Sequence, residues 1–336
     1  MTEKIVIFKN EKIGDLIHGL DAINIIISSN PDKKIVLYLS ENNKEMIFLF
    51  KNNNVETKVI SEKINFIDKL NIFKQVLINN IIKIYILKPS SFLFLLPLIF
   101  FYKKTKYFGI CVKKKNYFRP SNLLRKLLKF SVINDRKTTK IRKSIYNLHI
   151  NLVKEDNKIY EHFQDKKNLN NENQNKNKYI LIHYNRFKYN ELGWSLEDLT
   201  KLIKLIIGLS IKVYLTNDLN DEKTNKHIKD ISLSGELFKH YPNVTGKEFF
   251  NLIGQANIVI SMHGSITSIA AYQNVCVIDL FNCSINNKND IYRYKNSFHE
   301  FKPKKDNYEF LIPKRNFNIT MSRIENLLAN GRKINY

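Results

Sequence analysis

The sequence predicts an α/β protein in which two parallel sheets are each covered by helices. Three observations predict it. Short apolar runs alternate with helix-period segments from Lys4 to Leu87, a polar low-complexity run from Lys166 to Lys178 interrupts the pattern, and alternation restarts at Tyr179. Strands that read as near-continuous apolar runs are those buried on both faces of a parallel sheet. The 336 residues are enough for two domains of about 150 each. The division expected is 1–165, a linker at 166–178, and 179–320, with 321–336 a C-terminal helix and tail free to fold back across the first domain.

Each element follows from its own residues. Lys4-Ile-Val-Ile-Phe8 is a buried strand; a loop ending in Gly14-Asp15 leads to a helix from Leu16 to Ser28 with apolar residues at helical spacing. Lys34 to Leu39, Glu56 to Ile60 and Ile82 to Leu87 are further strands, with helices at Asn43 to Lys51 and Ile67 to Asn79 between them. Phe92 to Tyr102 is an apolar run of eleven residues interrupted by Pro97. It falls short of the roughly 20 that a membrane-spanning helix needs, and suits a core helix or one that dips into a surface. Tyr107 to Ile110 is a short strand, and Asn122 to Phe130 and Ile141 to Phe163 are predicted helices. In the second half, Tyr179 to His183 and Lys212 to Leu215 are strands, Ser195-Leu-Glu-Asp198 is a capping box opening a helix, and Phe249 to Ala256 is helical.

Composition narrows the function classes. A 43% hydrophobic and 26% charged chain is globular, and its net charge of +24 favours anionic partners: nucleic acid, membrane headgroups or phosphorylated substrates. Lysine, asparagine and isoleucine are abundant throughout, so part of that charge is a chain-wide bias. The most local basic signal is Lys103 to Arg119, where cations alternate with aromatics, including Lys113 to Lys115. Cys111, Cys276 and Cys283 form no CxxC pair and no histidines stand at metal-ligand spacing, so neither a structural zinc nor a disulfide framework is expected. Met1-Thr-Glu-Lys runs directly into a strand with no signal-peptide pattern, and a cytoplasmic protein is expected.

The stretch carrying most chemistry is Ile258 to Phe281. An apolar strand, the elbow Ser261-Met-His-Gly-Ser265, a small-residue helix and a second strand place backbone N–H groups at a helix N-terminus, where phosphate binds well. Gly264 permits close approach, and Ser265, Thr267 and Ser268 offer hydroxyls. Capping alone would account for the same residue types.

Two α/β halves with such an elbow resemble the two-Rossmann (GT-B) glycosyltransferases, with two Rossmann-like domains facing a cleft. Lys4 to Pro31, Ile84 to Gly109, His183 to Leu199, Thr216 to Glu222 and Gly246 to Phe281 are similar to stretches of glycosyltransferase family nine, the ADP-heptose:lipopolysaccharide heptosyltransferases. The chain departs from that family at the elbow. The family pattern Asp-(Ser/Thr)-Gly, two residues, His is here Met262-His263-Gly264 and Thr267, which leaves the donor sugar open. Lys188 is displaced from the position the family gives a lysine before Trp194, so Arg186 is the expected cation.

The resemblance implies an inverting, metal-independent transfer from a nucleotide-diphosphate sugar to a lipopolysaccharide or other surface-glycan acceptor, with no cofactor. Asp15 would be the base, or alternatively an N-cap. Asn185, Arg186, His263, Gly264, Ser265 and Thr267 would hold the donor phosphates, and Glu222 the ribose, with Asp218 and Asp221 as rivals. Partners would be the donor, a glycolipid or oligosaccharide acceptor and an anionic membrane surface at its inner face, with no nucleic acid. A nucleotide-sugar epimerase on the same scaffold, a basic nucleic-acid- or anionic-surface-binding protein, and a catalytically dead relative that keeps the fold are the alternatives.

Overall fold

The computed structural model describes residues 2–113, 124–135, 144–156, 179–230, 235–280, 308–311 and 317–329. Its first sheet is organised around β1 (Lys4–Phe8), whose Ile-Val-Ile-Phe side chains are all buried. A strand with no polar face needs a partner on either side, and β1 lies parallel to β2 (Lys34–Ser40) and to β4 (Ile81–Ile86). Adding β3 (Val55–Ile60), β5 (Lys106–Lys113) and β6 (Phe130–Asp135) completes the order β3-β2-β1-β4-β5-β6, parallel throughout. The order reverses direction between β1 and β4. Loops leaving the carboxyl ends of those two strands part company there, which is where open parallel sheets bind ligands.

Helices α1 (Ile13–Ser28), α2 (Phe66–Ile78), α3 (Ser91–Ile99) and α4 (Ile145–Lys154) cover this sheet. Ile72 and Val76 of α2 bury in the same core as Leu93, Phe94 and Leu96 of α3, so the two helices share one face. Asn65 and Asp68 form a reciprocal capping box at the start of α2, an arrangement that contributes about 1 kcal/mol.

The second sheet repeats the plan. Every residue of β7 (Tyr179–Tyr184) is buried, with β8 (Lys212–Asn217) and β9 (Phe238–Tyr241) on one side, and β10 (Ile258–Met262), β11 (Cys276–Leu280) and β12 (Tyr308–Leu311) on the other. Its order, β12-β11-β10-β7-β8-β9, puts the reversal between β7 and β10. The helices are α5 (Arg186–Glu191), α6 (Leu196–Gly208), α7 (Glu222–Asp230), α8 (Gly246–Gln255), α9 (Ser265–Tyr272) and α10 (Phe317–Ala329). The predicted Ser195–Asp198 capping box opens α6. The chain divides into two compact units, Met1–Glu172 with Lys295–Lys302 and Asn173–Tyr294 with Pro303–Tyr336.

Several elements differ from expectation. The helix expected to end at Phe130 is only a 3-10 turn, Arg125–Leu127, and Phe130 instead starts β6, because Phe-Ser-Val-Ile satisfies the open edge of β5. Arg186–Glu191, taken from sequence as loop, is helical. Within the second unit the final helix buries Met321 and Ile324 in the same core as Trp194 and α6. The expected linker at 166–178, Lys114, Lys115 and Cys283 lie outside the described residues. Among the described residues no helix is long and apolar enough to cross a membrane.

Candidate functional site

In the second unit the site is built where β7 and β10 end. After Met262 only His263 and Gly264 intervene before α9 begins, and His263 N–H donates to Leu280 O at 3.0 Å, extending the ladder to β11 by one residue. The imidazole is held by Asp279, a carboxylate with no exposed surface in the middle of an apolar strand: Nδ1 donates to Asp279 Oδ2 at 2.7 Å. A buried charge must be paired. That pairing fixes the ring and makes Nε2 the atom by which the histidine acts, as acceptor when neutral and donor when charged.

A cation reaches the same elbow from the β7 side. Asn185 is the N-cap of α5, its Oδ1 accepting from Lys188 N–H at 2.9 Å, which sets Lys188 in the first turn. Lys188 Nζ donates to His263 O at 2.8 Å. A Cβ on Gly264 would lie 2.9 Å from that Nζ. Gly264 itself is extended, φ 164°, so its role is to leave room for the ammonium. Tyr189 anchors the short helix, packed between Tyr184 at 4.6 Å and Trp194 at 5.6 Å, and Trp194 meets the Phe317 ring edge-on at 4.9 Å.

Other predicted donor residues serve the frame. Arg186 Nε donates to the buried Asp221 Oδ1 at 3.1 Å. Asp221 in turn caps α7, accepting from Thr224 N–H and, at 2.6 Å, from Thr224 Oγ1. Asn185 Nδ2 donates to Asp218 at 3.0 Å. Thr267 is fully buried, and its hydroxyl closes the elbow onto Gly264, accepting from N at 3.2 Å and donating to O at 2.9 Å, bonds that shape the turn. Ser265 is half-buried at the start of α9. Glu222 is exposed on the first turn of α7. The structure thus gathers Lys188, His263, Gly264, Ser265 and Asp279. Sequence reasoning passed over Lys188 and Asp279, although an aspartate inside Val-Ile-Asp-Leu was a legible signal.

In the first unit the corresponding sheet end carries Asp15. It sits in the first turn of α1, whose N-cap is Lys12 and not Asp15. Burial raises its pKa and the Glu11 carboxylate adds to this, while Lys9, Lys12 and Lys88 pull the other way without cancelling it. Lys9 is wholly buried, donating to Glu11 and, at 2.9 Å, to His149 Nε2. His149 Nδ1 donates to Ile145 O at 2.7 Å, and burial, with Lys9 adding, holds this imidazole neutral. Lys88 Nζ donates to Asn10 O at 2.7 Å and Glu62 O at 2.5 Å. Among the described residues no group of three His, Cys, Asp or Glu side chains converges as a metal site.

No family model and no curated protein sequence matches the chain. Solved structures do. Escherichia coli heptosyltransferase WaaC with ADP-2-deoxy-2-fluoro heptose is similar at a TM-score of 0.63 and 13% identity over 98% of this chain and 100% of that one. The E. coli ADP-heptose lps heptosyltransferase II gives a TM-score of 0.63 at 15% identity, covering 97% and 98%. UDP-GlcNAc 2-epimerase from Neisseria meningitidis, bound to UDP-GlcNAc, gives 0.53 at 12%, covering 98% and 92%. Two six-stranded parallel sheets of the same order, matched end to end by these structures, give the chain the two-Rossmann, GT-B fold.

Proposed function

We propose that the protein transfers a sugar from a nucleoside-diphosphate donor to a hydroxyl of a surface glycan, lipopolysaccharide being the leading acceptor class. The observation that carries this reading is the convergence of Lys188, the Asp279-oriented His263 and the N-terminus of α9 on one elbow at the reversal of the second sheet. An ammonium, an imidazole and oriented N–H groups are what a departing diphosphate needs. Likeness to ADP-bound and UDP-sugar-bound structures of the same fold supports a nucleotide-sugar donor.

The step would be a single inverting displacement. Asp15 takes the acceptor hydroxyl's proton, that oxygen bonds to the anomeric carbon, and the carbon–phosphate-oxygen bond breaks as its electron pair leaves with the nucleoside diphosphate. Protein cations and N–H groups meet the charge that develops, so the proposal uses no metal or cofactor. Glu222 is the candidate for the donor ribose. The test is calorimetry against ADP-, UDP- and GDP-sugars, then transfer to a glycolipid extract with the best donor. Binding of none of them overturns the reading. The epimerase alternative draws on the likeness to the Neisseria enzyme, and it predicts conversion of donor with no acceptor present.

A further inference from the structure

The face of the first unit carrying α2 and α3 is apolar on its outside as well as its inside. Of the sixteen large hydrophobic side chains exposed among the described residues, eleven belong to α2, α3 or the two residues following Phe100. Along α2 they recur as Phe66, Leu70, Phe73 and Leu77, the spacing of one helical stripe, with Phe66 71% and Ile67 68% exposed. Along α3 they are Leu95, Leu98 and Ile99, and the turn that follows adds Tyr102 and Phe101, the latter 81% exposed. The inner sides of both helices are already filled by the sheet core, so the outer stripes are surplus to folding.

The two stripes form one surface. The Phe73 and Phe100 rings meet at a tilt, 4.8 Å between centroids, Phe100 lies 6.2 Å from Tyr102, and Lys103 Nζ binds the carbonyls ending α2, at 2.6 Å to Val76 O and 2.6 Å to Leu77 O. Its border is basic. Of the eight lysines in residues 63 to 106, Lys83 pairs with Asp156 and Lys88 bonds Asn10 O and Glu62 O, and the single acid there, Asp68, has its carboxylate occupied by Ser61 N–H at 3.0 Å and by the α2 capping box. Lys63, Lys69, Lys74, Lys104 and Lys106 are exposed around or within the stripes.

An apolar stripe bordered by lysines suits an interface in which hydrocarbon meets phosphate. The aromatic and aliphatic groups enter the acyl boundary while the ammonium groups extend to the headgroups. The lysine border selects an anionic occupant, and hydrocarbon beneath a layer of phosphate answers both the border and the two stripes. We propose that the outer face of α2 and α3 is a docking surface for an anionic lipid bilayer. The surface bears on the acceptor side of the proposed transfer, but its test uses no donor, so the two readings fail separately.

The test is flotation of the full chain with phosphatidylcholine vesicles, with and without phosphatidylglycerol. A chain of this charge adheres to anionic lipid by any basic face, so the decisive variants keep every charge: Leu98→Ser with Phe101→Ser, and independently Phe66→Ser with Leu70→Ser. Each pair should weaken binding to the anionic vesicles roughly tenfold or more, and should leave a binding remainder that salt dissolves. Because these side chains are exposed, the unfolding midpoint should hold, and if one pair unfolds the other still reads the surface. A Phe101→Trp reporter, seen against the buried Trp194, should shift to the blue and be quenched by brominated acyl chains. Absence of vesicle binding overturns the proposal, as does binding indifferent to both pairs. So does a concentration-dependent dimer that the same pairs abolish while vesicles go unbound, since the face would then belong to a second copy.

Discussion

The two halves share a strand order but not a chemistry. Both sheets reverse beside their first strand, β1 in one and β7 in the other, and both place their candidate residues on the loops leaving that point. In the first half burial and Glu11 keep Asp15 a better proton acceptor than an ordinary aspartate. In the second half a lysine, a histidine and a helix N-terminus converge, the set that favours an anion. The strand plan therefore fixes where side chains gather, and the loop residues decide whether the cluster is suited to a proton or to an anion.

The largest effect that would break this division is expected at Asp15. Asp15→Asn should lower transfer by about 10²–10⁴-fold while donor affinity, by calorimetry, is unchanged. Stability should move the other way. The native state binds the Asp15 proton more tightly than the unfolded state, so stability falls as pH rises from the ordinary aspartate range through the raised value, and the penalty is fully present above it. Removing the charge should thus leave the neutral-pH melting temperature equal or higher, whereas a helix-dipole role would predict a drop. The acidic limb of kcat/KM should likewise lie above the usual aspartate range in the wild type.

Next comes the anion side. Lys188→Ala should weaken binding of the preferred nucleoside-diphosphate sugar by roughly 10–100-fold, the size of one charge-assisted hydrogen bond, with little change in fold. A smaller and more specific effect is expected from Gly264→Ala. The added methyl has space except where it meets the Lys188 ammonium, a flexible tip able to move, so the protein should fold normally. Displacing that ammonium should cost donor affinity about threefold to tenfold. If the effect of Gly264→Ala persists in full on a Lys188→Ala background, the glycine acts for another reason and the pairing of the two residues is wrong.

How much of this was legible in the sequence follows from range. β1, the helix after Asp15, the Ser195–Asp198 cap and the elbow at Gly264 are set by neighbours within a few residues, and local pattern finds them. Lys188 and Asp279 act on His263 from 75 and 16 residues away, so only the folded sheet brings them together. Arg186 and Lys188 lie two residues apart on one short helix, and their roles depend on which way that helix turns, information absent from a stretch that reads as loop. The strands β6 and β9 were missed for a similar reason: each is short, and its order comes from pairing with β5 or β8 more than from its own composition.

The smallest effect on donor binding is expected at the other cation. Arg186→Gln removes a guanidinium that the elbow does not use, so affinity for the nucleoside-diphosphate sugar should change less than about twofold. Stability is where the substitution should register. Asp221 is buried and keeps its two bonds from Thr224, but loses the charge facing it, and breaking a largely buried pair from one side costs about 1–3 kcal/mol. A chemical-denaturation midpoint beside a donor titration reads both. A loss of affinity as large as that of Lys188→Ala, with stability unmoved, would return Arg186 to the phosphate and make Lys188 the frame residue. The predicted opposite pattern would give the phosphate to Lys188 and the frame to Arg186, the reverse of the assignment that sequence spacing suggests.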